Sequence, residues 1–221
     1  MRMKYFLLLA MLVVPHTVVY GYTLVAHESL VPYEVLTLST EPGQQHIVAG
    51  TLNDYPQMIE MTSDEAFFLD VAIRGIPGTS TPDFSGIVIR VLEPRGVAEV
   101  ARLRASEASW ETVTDPLSAL PYLAGPSFSG EVASGTYRIE VSTPVNTGQY
   151  LLVVGSSNDA STYGQKWDSV SRLYEFYGQS KIGMIRSPLV YYPLGIVLLL
   201  IGFGYTIYRT RARLPFRQNH A

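Results

Sequence analysis

Between Glu28 and Gly155 hydrophobic and polar positions alternate with a period of two, and no long stretch repeats at 3.6 residues. The clearest case is AFFLDVAI, where Phe67, Leu69, Val71 and Ile73 alternate with Phe68, Asp70, Ala72 and Arg74. That is the pattern of a half-buried strand. EVLTL, HIVAGTL and QMIEMT are shorter candidates, and GIVIRVLEPRGVAEVARL reads as two strands joined at Glu93-Pro94-Arg95-Gly96. In SGTYRIEVSTPVNTGQYLLVVG, Tyr137, Ile139 and Val141 face one way and Arg138 and Glu140 the other. Asn146-Thr147-Gly148 then supplies turn residues, and Tyr150, Leu152 and Val154 resume the inward face, which predicts a closing hairpin. About eight to ten strands at this spacing define an all-β domain over residues 28–155, a jelly-roll-like antiparallel β-sandwich.

The alternation lapses from Ser106 to Gly130, where Trp110, Pro116, Pro121, Tyr122, Pro126 and Phe128 stand among turn residues. An excursion of that length is a packed cap or a contact surface. Aromatic residues in such places more often cover the core. If the domain binds a ligand, Trp110, Tyr122 and Phe128 are its candidate contact surface.

Both ends of the chain depart from the β pattern. The start has Arg2 and Lys4, an apolar run from Tyr5 to Val14, then Pro15 and small residues, which is the plan of a secretory signal peptide over residues 1–21. Cleavage falls after Gly21 or as late as Ala26. Leu189 to Tyr208 carries no charge over 20 residues, enough to cross a bilayer as a helix, so residues 188–208 read as a transmembrane segment. Ser187 and Pro188 suit its N-cap and first turn, and Tyr191, Tyr192, Tyr205 and Tyr208 sit where interfacial aromatics belong. Arg209, Arg211, Arg213 and Arg217 crowd the tail, 209–221, and place it in the cytoplasm. Residues 156–187 hold a polar linker and a short amphipathic helix, with Trp167, Val170, Leu173, Tyr174 and Tyr177 on one face. Asp168 and Arg172 pair on the other face, and Gly178 ends the helix. Its aromatic face lies on the outer leaflet or docks on the sandwich or a partner; the nearby span favours the leaflet.

Charge and composition narrow the function. All 19 acidic residues lie between Glu28 and Glu175, so the exported part is strongly negative, which argues against nucleic acid as a partner. There is no cysteine and no Asn-x-Ser/Thr sequon, absences that suit a bacterial envelope. Of the four histidines His16 and His220 fall in the end segments, leaving His27 and His46 without a zinc-binding spacing. A serine triad would need one of these two, and GPSFSG does not form a nucleophile elbow. Asp64 and Glu65 are adjacent, so on a strand they point to opposite faces; TSTPDFSG offers Asp83 alone to a calcium ion. No phosphate loop follows a strand, and nothing repeats at a fixed period. No catalytic, cofactor or metal site is expected.

FFLDVAI, IVIRVLEPRG and the segment carrying Gly135, Thr136, Tyr137, Gly148, Tyr150 and Leu152 resemble the layout of bacterial pre-peptidase C-terminal domains. The resemblance implies a jelly-roll-like sandwich that serves as an accessory to secreted enzymes. Where that family often has an acidic pair in a central strand, only Asp70 stands here, so its calcium role does not carry over. The expected protein is a non-enzymatic, single-span protein of the bacterial cell membrane with an extracytoplasmic domain. It acts as a cell-surface binding or adhesion module for a protein or glycan partner; the alternative is an accessory subunit of a membrane complex, held by its helices to bilayer and partner.

Overall fold

The structure is a computed structural model and describes residues 21–28, 31–38, 44–78, 83–92, 94–155 and 161–212. The signal-like residues 1–20, five residues of the linker (156–160), Arg213 and Arg217 lie outside the described residues.

The alternating segments become strands β1 (Thr23–Glu28), β2 (Val35–Leu38), β3 (His46–Asn53), β4 (Gln57–Ser63), β5 (Phe67–Gly75), β6 (Ser85–Val91), β7 (Val97–Leu103), β8 (Glu111–Thr114), β9 (Pro121–Val132), β10 (Gly135–Ser142) and β11 (Thr147–Val154). They form a six-stranded sheet in the order β1-β3-β11-β5-β9-β8 and a five-stranded sheet in the order β2-β4-β10-β6-β7. Inward residues of both layers, among them Val48, Ile59, Leu69, Val71, Val88, Ile139 and Leu152, are fully buried in one core. The fold is the expected sandwich.

Four expectations change in detail. The sandwich is not wholly antiparallel: β1 runs parallel to β3 from Thr23↔His46 to Glu28↔Thr51, and β2 parallel to β4 from Val35↔Met58 to Leu38↔Met61. The first four strands alternate between layers and reverse at each crossing, so the first and third point the same way, as do the second and fourth.

The predicted closing hairpin is an arch. β10 pairs with β4 and β6 in one sheet, whereas β11 pairs with β3 and β5 in the other. Its turn closes by Asn146 N donating to Thr143 O (3.1 Å), and Asp54 N donates to Asn146 O (2.9 Å), tying it to the neighbouring β3–β4 arch. Tyr137, Ile139 and Val141 do face inward with Tyr150, Leu152 and Val154, but they meet across the core.

The excursion at 106–130 contains β8 and the 12-residue β9, the longest strand described. Prolines 121 and 126 and glycines 125 and 130 hide it in the sequence. Gly125 is required there: an added Cβ would lie 2.6 Å from the Trp110 ring and against the Ile73 carbonyl, where the β5 register shifts at a bulge.

The sandwich begins earlier than residue 28. Tyr22 and Leu24 are buried in a second core on the outer face of the six-stranded sheet, with Ile47 and Ala49 of β3 and Leu151 and Val153 of β11. β3 and β11 are thus buried on both faces, which is why they read as the unbroken runs HIVAG and YLLVV. Covering that face is α1 (Tyr163–Phe176), opened by a capping box between Thr162 and Gln165 and closed at Gly178, whose φ is +65°. Gln179 N donates to Tyr174 O and Gly178 N to Glu175 O, the paired bonds of a left-handed C-terminal cap. A 3-10 helix (Lys181–Arg186) leads to α2 (Pro188–Ala212), whose N-cap Ser187 accepts from Leu189 N at 3.3 Å. Residues Pro188–Thr210 are long and apolar enough to cross a membrane.

Candidate functional site

Asp115 organises the loop between β8 and β9. One of its carboxylate oxygens accepts from Ser118 N (3.0 Å), Ser118 Oγ (2.9 Å) and the Tyr22 hydroxyl (3.2 Å). Asp115 N donates to Leu120 O, and Ala119 N to Asp115 O, both at 2.8 Å. This knot buries Leu117 and Leu120 in the second core and leaves backbone carbonyls facing the C-terminal elements.

Those carbonyls are taken up by side chains from the C-terminal segment. The Ser187 hydroxyl donates to Leu117 O at 2.7 Å. The Tyr174 hydroxyl lies 3.0 Å from Ser118 O and 3.1 Å from Gly183 O, sharing one proton between them. Tyr177 donates to Pro121 O at 3.1 Å, and Tyr163 donates to Leu189 O at 2.6 Å. From the sheet side Leu24 N donates to Ser169 Oγ at 3.2 Å. The phenols of Tyr22 and Tyr177 are held neutral: burial, then the charge of Asp115, pushes both well above the usual tyrosine range.

The junction uses most of the residues assigned to the amphipathic face, but against protein. Val170, Leu173 and Tyr174 are buried on the sandwich and Tyr177 is half-buried, which replaces the leaflet-facing orientation favoured from sequence. The unbroken apolar runs of β3 and β11 needed a cover, and this helix face supplies it. Trp167 alone of the five stays largely exposed, at 43%.

Trp110, Tyr122 and Phe128 do not gather into one exposed platform. Trp110 and Phe128 are half-buried against the main core, and the Trp110 indole donates to Ala105 O at 3.0 Å. Tyr122 instead lies under Arg74, whose guanidinium carbon is 4.1 Å from the ring centroid. Next to Trp110 an open groove of about 380 Å³ runs between the end of β7, a 3-10 helix (Ala105–Glu107) and β9, lined by Arg102, Glu107, Ser109, Gly125 and Ser127. Among the described residues no three His, Asp or Glu side chains gather as a metal site would need. Arg209 and Arg211 fall in the last turn of α2.

Asp115, Ser118 and Ser187 were not singled out as a site from sequence. Asp-Pro-Leu-Ser, with a serine three positions after an aspartate, is the local signal for the knot; Ser187 reads from sequence as a cap alone.

No family model matches the chain, and no curated protein does. Among solved structures, the chain is similar to the pre-peptidase C-terminal domain of collagenase from Bacillus anthracis, with 11% identity over 57% of this chain and 98% of that one and a TM-score of 0.35. The class that the fold defines is a β-sandwich followed by one helix long and apolar enough to span a membrane.

Proposed function

We propose that this chain is a non-enzymatic accessory subunit of a membrane complex, with its sandwich held flush against the extracytoplasmic face of a bacterial cell membrane. One observation carries the reading: the residues that open the apolar helix belong to the sandwich's own second core, with Ser187 bonded to Leu117 and Leu189 buried. A domain that reaches for distant ligands gains from a loose tether. A domain built into the head of its anchor has a fixed height and orientation, so what it touches lies at the membrane surface. Tyr191 to Leu200 are all exposed, which leaves the helix to lipid or to a neighbouring span. Arg209 and Arg211, with Arg213 and Arg217 after them, support a cytoplasmic C-terminus. The excess of acidic residues in the exported part speaks against nucleic acid as a partner.

A second reading, a binding or adhesion module for a protein or glycan, is favoured by the open groove beside Trp110, which is lined mainly by polar groups.

The test replaces residues 195–207 with leucines, leaving Ser187 to Leu194 and the sandwich untouched. Native and leucine versions are extracted from the native membrane in mild detergent. A stoichiometric partner with the native helix alone supports the subunit reading. The same partner with both places the contact on the sandwich; none with either shifts weight to the groove, and a glycan screen of the full chain follows.

A further inference from the structure

The 3-10 helix between α1 and α2 exposes apolar side chains at the one place where the chain turns into its apolar helix. Ile182 is 83% exposed and Ile185 53%, while Met184 between them is buried in the second core at 4%. In a 3-10 helix residues three apart eclipse, so the two isoleucines share one face and Met184 points elsewhere. Tyr163, 54% exposed, sets its hydroxyl against Leu189 O in the first turn of α2, just past the 3-10 helix. Lys181 and Arg186 bracket the isoleucines, both exposed.

We propose that this 3-10 helix lies flat in the headgroup layer of a phospholipid bilayer, with Ile182 and Ile185 turned to the lipid and Tyr163 beside them. The inference rests on reading α2 as the span. At about 2 Å per residue to the end of the 3-10 helix at Arg186 and about 3.3 Å per residue through the extended Ser187, Ile185 is no more than about 9 Å and Ile182 no more than about 15 Å from Pro188 along the chain. The headgroup layer on each side of a bilayer is about 5–7 Å deep, so a helix lying flat keeps both residues in it and one standing upright does not. Continuity with the span selects lipid as the occupant: exposure switches on at Tyr191, one residue after the last packed position, Val190. Lys181 and Arg186 suit phosphate groups at that depth, and their aliphatic stems suit the boundary beneath. The seat fixes the tilt of the whole sandwich, because the Tyr174 hydroxyl joins Gly183 of the 3-10 helix to Ser118 of the Asp115 loop, and Ser187 at the end of the 3-10 helix bonds Leu117 of the same loop.

The chain has no cysteine, so single sites can be labelled cleanly. Spin labels are placed on full-length Ile182→Cys, Ile185→Cys, Leu198→Cys and, on the sheet that carries no part of the second core, Val97→Cys, in phosphatidylcholine vesicles. Accessibility to oxygen and to a water-soluble nickel chelate is then compared. The expected result is a Leu198 label reached by oxygen alone, and nickel accessibility at Ile182 and Ile185 several-fold below that at Val97 and equal to each other. Nickel access at either isoleucine matching Val97 overturns the seat while leaving the anchor. Labels there shielded from both reagents mean protein contact and also overturn it. Nickel access at Leu198 overturns the anchor reading itself.

Discussion

The Ser187 hydroxyl meets the Leu117 carbonyl at 2.7 Å, joining the cap of the C-terminal helix to a loop 70 positions earlier in the chain. Both residues are buried, so the bond has no water to replace it. Ser187→Ala leaves Leu117 O unpaired and removes the cap on Leu189 N, at a cost of about 1–3 kcal/mol. Leu117→Ala empties part of the second core and costs about 2–5 kcal/mol. Thermal unfolding of the full chain in detergent reads both, and amide exchange at residues 189–190 should quicken well before exchange in β5 and β10. Unchanged exchange at those two positions would mean that the start of the C-terminal helix is not built into the domain.

Trp110 offers a direct contest between packing and ligand binding. Its backbone is left-handed, with φ +52°, a conformation that costs a residue with a side chain about 1–2 kcal/mol and persists where surrounding contacts impose it. Those contacts are the indole bond to Ala105 O and the ring pressed on Gly125. Trp110→Ala is expected to destabilise the sandwich by about 3 kcal/mol, the low end for a large aromatic because the ring is half-buried. Calorimetry of the variant checks it. A melting temperature equal to that of the native chain would return Trp110 to the ligand platform.

What the sequence discloses here is facing, and what it withholds is neighbourhood. The alternation in β5 and in the 134–155 segment places every inward residue correctly, because a period of two is a property of the single strand. Whether β10 and β11 lie side by side or across the core depends on the Thr143–Asn146 turn and on the strands each finds as partners, which periodicity does not carry. β9 was hidden for a local reason: Gly125 and Pro126 interrupt the pattern where β5 bulges. The helix face of Val170, Leu173 and Tyr174 was legible as apolar but its partner was not. The clue lay far away, in YLLVV, whose outward residues Leu151 and Val153 needed a cover.

Alkaline pH should loosen the junction. Burial raises the pKa of Tyr22 and Tyr177, and of Tyr150, which donates to Gln57 in the main core. Unfolded, each phenol ionises near 10.0; folded, each keeps its proton to higher pH. Above 10 the unfolded chain therefore holds fewer protons than the folded one, and stability falls as pH rises. Below 10 the contribution is fully present, and between the two pKa values each tyrosine withdraws at most about 1.4 kcal/mol per pH unit. Chemical unfolding from pH 8 upward, beside phenolate absorbance, measures this, and Tyr22→Phe should flatten the slope by one group. A slope beginning below pH 9 would assign the loss to other groups.

If the signal-like segment is removed on export, Tyr22 and Leu24 bear on where the cut falls. Tyr22 donates to Asp115, and Leu24 packs on Ile47 and α1 while β1 pairs with β3 over its whole length. A cut after Ala26 would delete four residues of β1, both buried side chains and the bond to the Asp115 knot. A cut after Gly21 keeps all of them, so where the signal-like segment is removed the earlier of the two sites is the one expected to preserve β1. The mature chain from native membranes is expected to begin at Tyr22 or earlier, as intact mass would show. A chain engineered to begin at His27 and otherwise intact should lose the second core first: α1 amides exchange as in an unfolded segment while β5 and β10 stay protected. Equal protection of α1 in the two chains would show that β1 is dispensable, and the junction would then rest on Leu117, Leu120 and Ser187 alone.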